Sequence, residues 1–235
     1  QLNKSAIQDS LHASLKLLFK DITTLYFAGR TDSGEHAIAQ VCNFKSKYDI
    51  PDSSIQTFLN KKLKNITVLS VSRESQQFNA RQSALSRSYV YKFTLQEVPT
   101  YLSNNLLNVP FSVDESILEL ILNELIGTHD YTLFWKRGSN QTSPIRTITK
   151  AFFTKDKYKL LTESNKTIII YNINFEANAY LYRMIRNIIG CILVVLNPNN
   201  PITLQDFIRS FRERVRLFNY TPAPSKGLYL KEICY

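Results

Sequence analysis

The sequence is short of the residues that build several common kinds of site. Its three cysteines, Cys42, Cys191 and Cys234, are far apart and odd in number. That argues against a disulfide framework and a CxxC metal motif, and suits a reducing compartment. The three histidines, His12, His36 and His129, show no ligand spacing, so no metal is expected. No long apolar run is present. The most apolar stretch, Ile188 to Leu196, is too short to span a bilayer, so no membrane partner is expected. Neither GxGxxG nor GxxxxGK[ST] occurs, which removes the usual support for dinucleotide or nucleoside triphosphate binding. The opening residues lack the basic, apolar, small-residue order of a secretory signal, and a cytoplasmic location is the expectation. The first residue is Gln1 rather than Met, which reads as a start inside a longer natural chain.

Acidic residues are also scarce. Nineteen Asp and Glu face twenty-nine Lys and Arg, a formal net charge of +10. Two readings fit: an ordinary solvated basic surface, or a polyanion partner whose counterions are released on binding. Apolar residues make up 44 % of the 235, enough for a packed core.

The chain alternates helix and strand signals. Ser5 heads an amphipathic helix carrying Ile7, Leu11, Leu15 and Leu18. Residues 23–28 and 37–42 read as strands around a loop bracketed by Gly29 and Gly34. Asp52 or Ser53 caps a second helix, and residues 66–71 read as a strand. Residues 88–94 alternate, with Tyr89, Tyr91 and Phe93 on one face. The polar, aperiodic segment 95–110 reads as a linker. A helix over 114–126 follows, then strands over 146–154 and 166–175. A long apolar helix over 179–196 comes next, then a short helix capped by Thr203 and a closing strand over 227–235. The pattern predicts an α+β fold in two subdomains, residues 1–100 and 101–235, with mixed or antiparallel sheets.

Four constellations stand out. In "GRTDSGEHA", Arg30 and Asp32 share a glycine-bracketed loop; the pair fits a turn staple or a carboxylate kept ionised by a neighbouring cation. In "FNARQSALSRSYVYKF", Arg81 and Arg87 stand beside Phe78, Tyr89 and Tyr91. That mixture fits phosphate contacts with base stacking, or an amphipathic strand with its tyrosines in the core. Arg183 and Arg186 open the apolar helix and need either an anion, for which Asp32 is a candidate, or solvent. His129, Asp130, Tyr131, Phe134 and Trp135 form a polar-aromatic cluster that fits a capped turn.

These words, in this order, resemble the TruA family of tRNA pseudouridine synthases. "GRTDSGEHA", "FNAR", "RSYVY", "GTHDY", "RNIIG" and "APSKGLYL" follow the family pattern along nearly the whole chain, and "SPIRTITK" looks like its central-strand entry. The resemblance implies a pseudouridine synthase fold: two RRM- or ferredoxin-like subdomains around a mostly antiparallel mixed sheet with a central basic cleft. It implies isomerisation of uridine to pseudouridine in the tRNA anticodon stem-loop (tRNA positions 38 to 40), without cofactor or metal, by a homodimer. Matched to the family's motifs, Asp32 is the essential carboxylate and Arg30 the residue that displaces the base. Tyr89 stacks on the uracil, and Arg186 pairs with the aspartate. Leu228 lies in the apolar wall of the pocket and Arg81 near it. Arg87, Tyr91, His129 and Asp130 complete the expected substrate-binding set. Four departures are visible, one of them Lys64 and Asn65 where family members often have Pro-x-Asp. Glu35 stands where the pattern has valine, which puts a second carboxylate near Asp32. Asn79 replaces the usual His or Asp. The family's opening strand is not found, which predicts an exposed sheet edge. A noncatalytic tRNA-binding or chaperone protein derived from the family is the alternative expectation.

Overall fold

The computed structural model describes residues 7–136, 142–161 and 166–235. It is α+β, with five α-helices and nine strands among the described residues. Contacts divide the chain into two compact units. The smaller comprises the chain up to Ala28 together with Val41–Ala84, and the larger Gly29–Gln40 with Leu85–Tyr235.

In the smaller unit, α1 (Ile7–Leu18) and α2 (Asp52–Lys62) pack on a two-stranded antiparallel ribbon, β1 (Tyr26–Phe27) with β3 (Cys42–Asn43). The apolar spacing of α1 puts Leu11 and Leu15 in a core with Phe19, Ile22, Ile55 and Leu59. The expected cap Ser5 lies outside the described residues. Helix α2 starts at Asp52 behind Pro51, without a side-chain cap, because the proline already sets the entry. Segment 66–71 is extended but joins no sheet. Its partner is α2 itself: Asn60 Oδ1 accepts from the Val68 amide at 2.7 Å, and the Asn60 and Gln56 amides donate to the Val68 carbonyl. Side-chain amides thus supply what a neighbouring strand would. Asn79 is a turn builder, its side-chain oxygen accepting from the Arg81 and Gln82 amides.

The larger unit is a seven-stranded sheet under three helices. Its short strand β2 (His36–Ala37) precedes the long β4 (Ser86–Thr94), and β5 (Leu107–Asn108) and β6 (Gly127–Asp130) follow. Next come β7 (Ile145–Lys159), β8 (Thr167–Ala177) and β9 (Leu228–Cys234). The order is β2-β9-β4-β8-β7-β6, with β5 beside β4. Only the β2–β9 and β4–β5 pairs are parallel among these. The helices are α3 (Glu115–Glu124), α4 (Met184–Leu196) and α5 (Leu204–Glu213). Alternation along β4 turns Tyr89, Tyr91 and Phe93 inward to meet Ile173 and Phe175 of β8 and residues of α4 in one core. Segment 95–110 is not a linker. It supplies β5, and Leu106 and Val109 are buried, because apolar residues hidden among polar ones still find cover. Part of the turn between β7 and β8 lies outside the described residues.

The apolar stretch from Ala179 becomes helical only at Met184. Arg183 sits in the left-handed region at φ 61, which breaks the helix and re-aims the chain just before it. Asp114 caps α3, accepting from the Ser116 and Ile117 amides, and Thr203 with Asp206 forms a capping box on α5. Among the described residues no helix is long and apolar enough to cross a membrane.

Candidate active site

The Arg30–Asp32 loop is closed by a side-chain clasp. The Gln40 amide accepts from the Gly29 N–H at 3.1 Å and donates to the Gly29 carbonyl at 2.8 Å. The loop's far side is fixed by the β2–β9 pairing and by the Ile38 amide, which donates to the Leu230 carbonyl at 2.8 Å. Within it, the Glu35 amide donates to the Asp32 carbonyl at 3.0 Å, making a tight turn. Gly34 lies at φ +83, and a side chain there would meet Ser225 Oγ, so the turn needs glycine twice over.

The turn aims Asp32 at the start of α4. Arg183 Nε lies 3.4 Å from Asp32 Oδ2, and Arg186 Nη1 lies 3.6 Å from the same oxygen. The left-handed turn at Arg183 lets both guanidiniums reach one carboxylate oxygen from positions three residues apart. Arg186 is held from behind: its Nε donates to the Ala223 carbonyl at 2.8 Å, while the Ala223 amide donates to the Arg186 carbonyl at 2.8 Å. This back-bracing depends on Gly190, where a Cβ would stand 1.9 Å from the Thr221 carbonyl oxygen. Only a bare backbone lets segment 221–223 lie against α4.

A second carboxylate joins the cluster. Glu35 Oε2 accepts from the Asp32 amide at 2.8 Å, and Glu35 Oε1 lies 3.6 Å from Arg186 Nη1. Its side chain is 7 % exposed, whereas that of Asp32 is 28 % exposed. Asp32 is therefore the carboxylate that solvent or a ligand can reach. Burial pushes the Glu35 carboxyl above its ordinary value; the Asp32 charge adds to this, and the Asp32 amide and Arg186 oppose it.

Tyr89 is buried against the loop, its hydroxyl beside Gly29. Its ring meets Tyr180 edge to face with centroids 5.1 Å apart, and its hydroxyl donates to the Arg30 carbonyl at 3.4 Å. Burial raises the phenol's pKa, with the charges of Glu35 and Asp32 contributing, so Tyr89 stays neutral. Arg30 itself is exposed. Leu228 and Tyr91 are buried, and the Tyr91 hydroxyl donates to the Pro224 carbonyl at 2.8 Å. Arg87 donates to the Asn178 carbonyl at 2.9 Å. Arg81 is exposed on the smaller unit.

His129 and Asp130 lie elsewhere, on β6 at the opposite edge of the sheet from β2. There Asp130 Oδ1 accepts from the Thr132 amide and hydroxyl, and Arg214 Nη1 lies 3.7 Å from Asp130 Oδ2. They border a cavity of about 520 Å³ shared with Arg212 and Arg214. The sequence offered Asp32 as an anionic partner for both Arg183 and Arg186 and placed Glu35 near Asp32, and the structure brings all four together, although only Asp32 and Arg186 were counted among the site residues. Arg183 was visible as a cation at the start of an apolar helix, and Glu35 as an acid in place of an apolar residue. The left-handed turn and the hydrogen bond that bring them in have no simple sequence signal. Among the described residues no cluster of three His, Cys, Asp or Glu could hold a metal ion.

Residues 121–235 match the family model described as tRNA pseudouridine synthase. Two curated relatives bear the name tRNA pseudouridine synthase A. One, from Thermoanaerobacter sp. (strain X514), is 33 % identical over 242 residues, covering 100 % of this chain and 92 % of its own. The other, from Streptococcus pneumoniae serotype 19F (strain G54), is 30 % identical over 238 residues, covering 100 % and 91 %. With identity sustained along the whole chain, the α+β fold and the matching family model, this chain belongs to the tRNA pseudouridine synthase family, isomerases acting on tRNA.

Proposed function

We propose that this chain converts uridine to pseudouridine in the anticodon stem-loop of tRNA, at positions 38 to 40, without a cofactor and with Asp32 as the catalytic carboxylate. The observation that carries the reading is Asp32 itself: partly exposed and set against two guanidiniums on a loop closed by its own clasp. Family membership and the surplus of basic residues support tRNA as substrate.

An enzyme acting on a base must first take it out of the stack, at a cost of a few kcal/mol. Exposed Arg30 is suited to contact the displaced strand, and the Tyr89 ring to replace part of the lost stacking. Arg183 and Arg186 flank Asp32 with positive charge, an arrangement that serves attack on the sugar, attack on the base, or removal of a ribose proton alike. All three need the same carboxylate in the same place. Arg81 and Leu228 are taken as substrate contacts, with Arg87, Tyr91, His129 and Asp130 outside the reacting centre. A cytoplasmic homodimer completes the reading.

A tRNA transcript carrying tritium at C5 of uracil tests it, because isomerisation releases that tritium to water. The chain is expected to release tritium, and Asp32→Ala to release none while binding tRNA about as well. Tight binding with no release by either protein would instead favour a noncatalytic tRNA-binding role. Wild-type release from Asp32→Ala would overturn the assignment of Asp32.

A further inference from the structure

We infer that Glu35 is a positioning residue for Asp32: it anchors the backbone amide of the aspartate and divides the Arg186 guanidinium with it. The inference rests on the proposed role of Asp32 and concerns a residue that the family pattern does not require.

Three contacts converge on Glu35. Its own amide donates to the Asp32 carbonyl, closing the turn. Its Oε2 accepts from the Asp32 amide at 2.8 Å, so the same two residues are bonded twice in opposite senses. Its Oε1 stands 3.6 Å from the Arg186 nitrogen that lies 3.6 Å from Asp32 Oδ2. This reciprocal arrangement removes most of the freedom of the Asp32 backbone. A valine would keep the backbone turn but leave the Asp32 amide without this acceptor.

Glu35 also acts on the cations. Two carboxylates from the loop, Asp32 and Glu35, face two guanidiniums, Arg183 at the N-cap of α4 and Arg186 within it. Arg186 Nη1 lies 3.6 Å from both Asp32 Oδ2 and Glu35 Oε1, so the buried Glu35 and the partly exposed Asp32 share one nitrogen, and Glu35 helps fix where that guanidinium stands.

The experiment compares tritium release by the wild type, Glu35→Gln, Glu35→Ala and Asp32→Ala, as kcat and KM, with thermal melting of each. Glu35→Gln keeps an acceptor for the Asp32 amide and drops the charge. It is expected to lose only about two- to threefold in kcat. Glu35→Ala removes both. It is expected to lower kcat about tenfold with KM nearly constant, because a misplaced catalytic group costs rate rather than affinity. Equal kcat losses in the two Glu35 variants, or losses that only follow the melting temperature, would overturn the inference in favour of a structural role. So would a Glu35→Ala protein with unaltered kcat beside an inactive Asp32→Ala. Turnover by Asp32→Ala, or none by the wild type, would overturn the reading of the site and this inference with it.

Discussion

The larger unit carries two arginine-carboxylate clusters, near opposite edges of one sheet, and they are built differently. At the β6 edge the acids take short hydrogen bonds. Glu124 takes Arg212 in two bonds of 2.6 and 2.9 Å, and Asp130 takes the Thr132 amide and hydroxyl at 2.9 and 2.6 Å. At the β2 edge Asp32 is approached by two guanidiniums no closer than 3.4 and 3.6 Å. The bracing there goes to the partners instead: Ala223 holds Arg186, and Glu35 holds the Asp32 backbone. A carboxylate oxygen held by short hydrogen bonds is fixed in place. A carboxylate that is flanked by positive charge while its oxygens stay available is equipped to react. In both clusters the guanidiniums come from far along the chain, Arg214 to Asp130 and Arg183 and Arg186 to Asp32, so the difference lies in the geometry.

The largest expected effect of breaking this contrast is at Asp32. Asp32→Ala should cut turnover at least about a thousandfold in the tritium assay, whereas Asp130→Ala should leave turnover within about threefold and lower the melting temperature. Next come the two cations. Arg186→Met should cost about a hundredfold in kcat, because its guanidinium is braced and mostly buried. Arg183→Met should cost about tenfold, since its side chain is as exposed as that of Asp32. Single-turnover kinetics would read both, and equal losses would mean that the bracing of Arg186 is irrelevant to rate.

The scaffold behind the contrast is expected to fail at Gly190. Gly190→Ala should destabilise the protein by about 1–3 kcal/mol in chemical denaturation, because segment 221–223 must move off α4. The smallest effect concerns pH. The folded state raises the Glu35 carboxyl, so it binds that proton more tightly than the unfolded chain does. Its contribution to stability is fully present below the ordinary carboxyl value and lost as pH rises through the raised one. The unfolding free energy of the wild type minus that of Glu35→Gln should therefore be largest below pH 4.5 and shrink as the pH rises.

Where local chemistry decided structure, the sequence was readable. The alternation of β4 announced its buried aromatic face, and Asp114 and Thr203 announced their helices. Where partners came from far along the chain, it was not. Residues 66–71 carry strand composition, yet α2 supplies their hydrogen bonds through Asn60 and Gln56. The run 37–42 looked like one strand and became two short ones, β2 on β9 and β3 on β1. Residues 179–183 are as helix-prone as those that follow, but the left-handed Arg183 stops the helix short. At the site, Asp32, Arg186 and Tyr89 were named by motif. The double hydrogen bond between Asp32 and Glu35 was not, because its donor and acceptor atoms say nothing about direction until the turn is closed.

The parallel pairing of β2 with β9 carries a consequence in time. The Asp32 loop is made before β9, and its strand, His36–Ala37, rests against Tyr229 and Leu230. A nascent chain would therefore display the loop well before the strand that seats it, and before segment 221–223 could brace Arg186. The cluster around Asp32 would close only once β9 had emerged, and until then the chain would carry the loop without its seat.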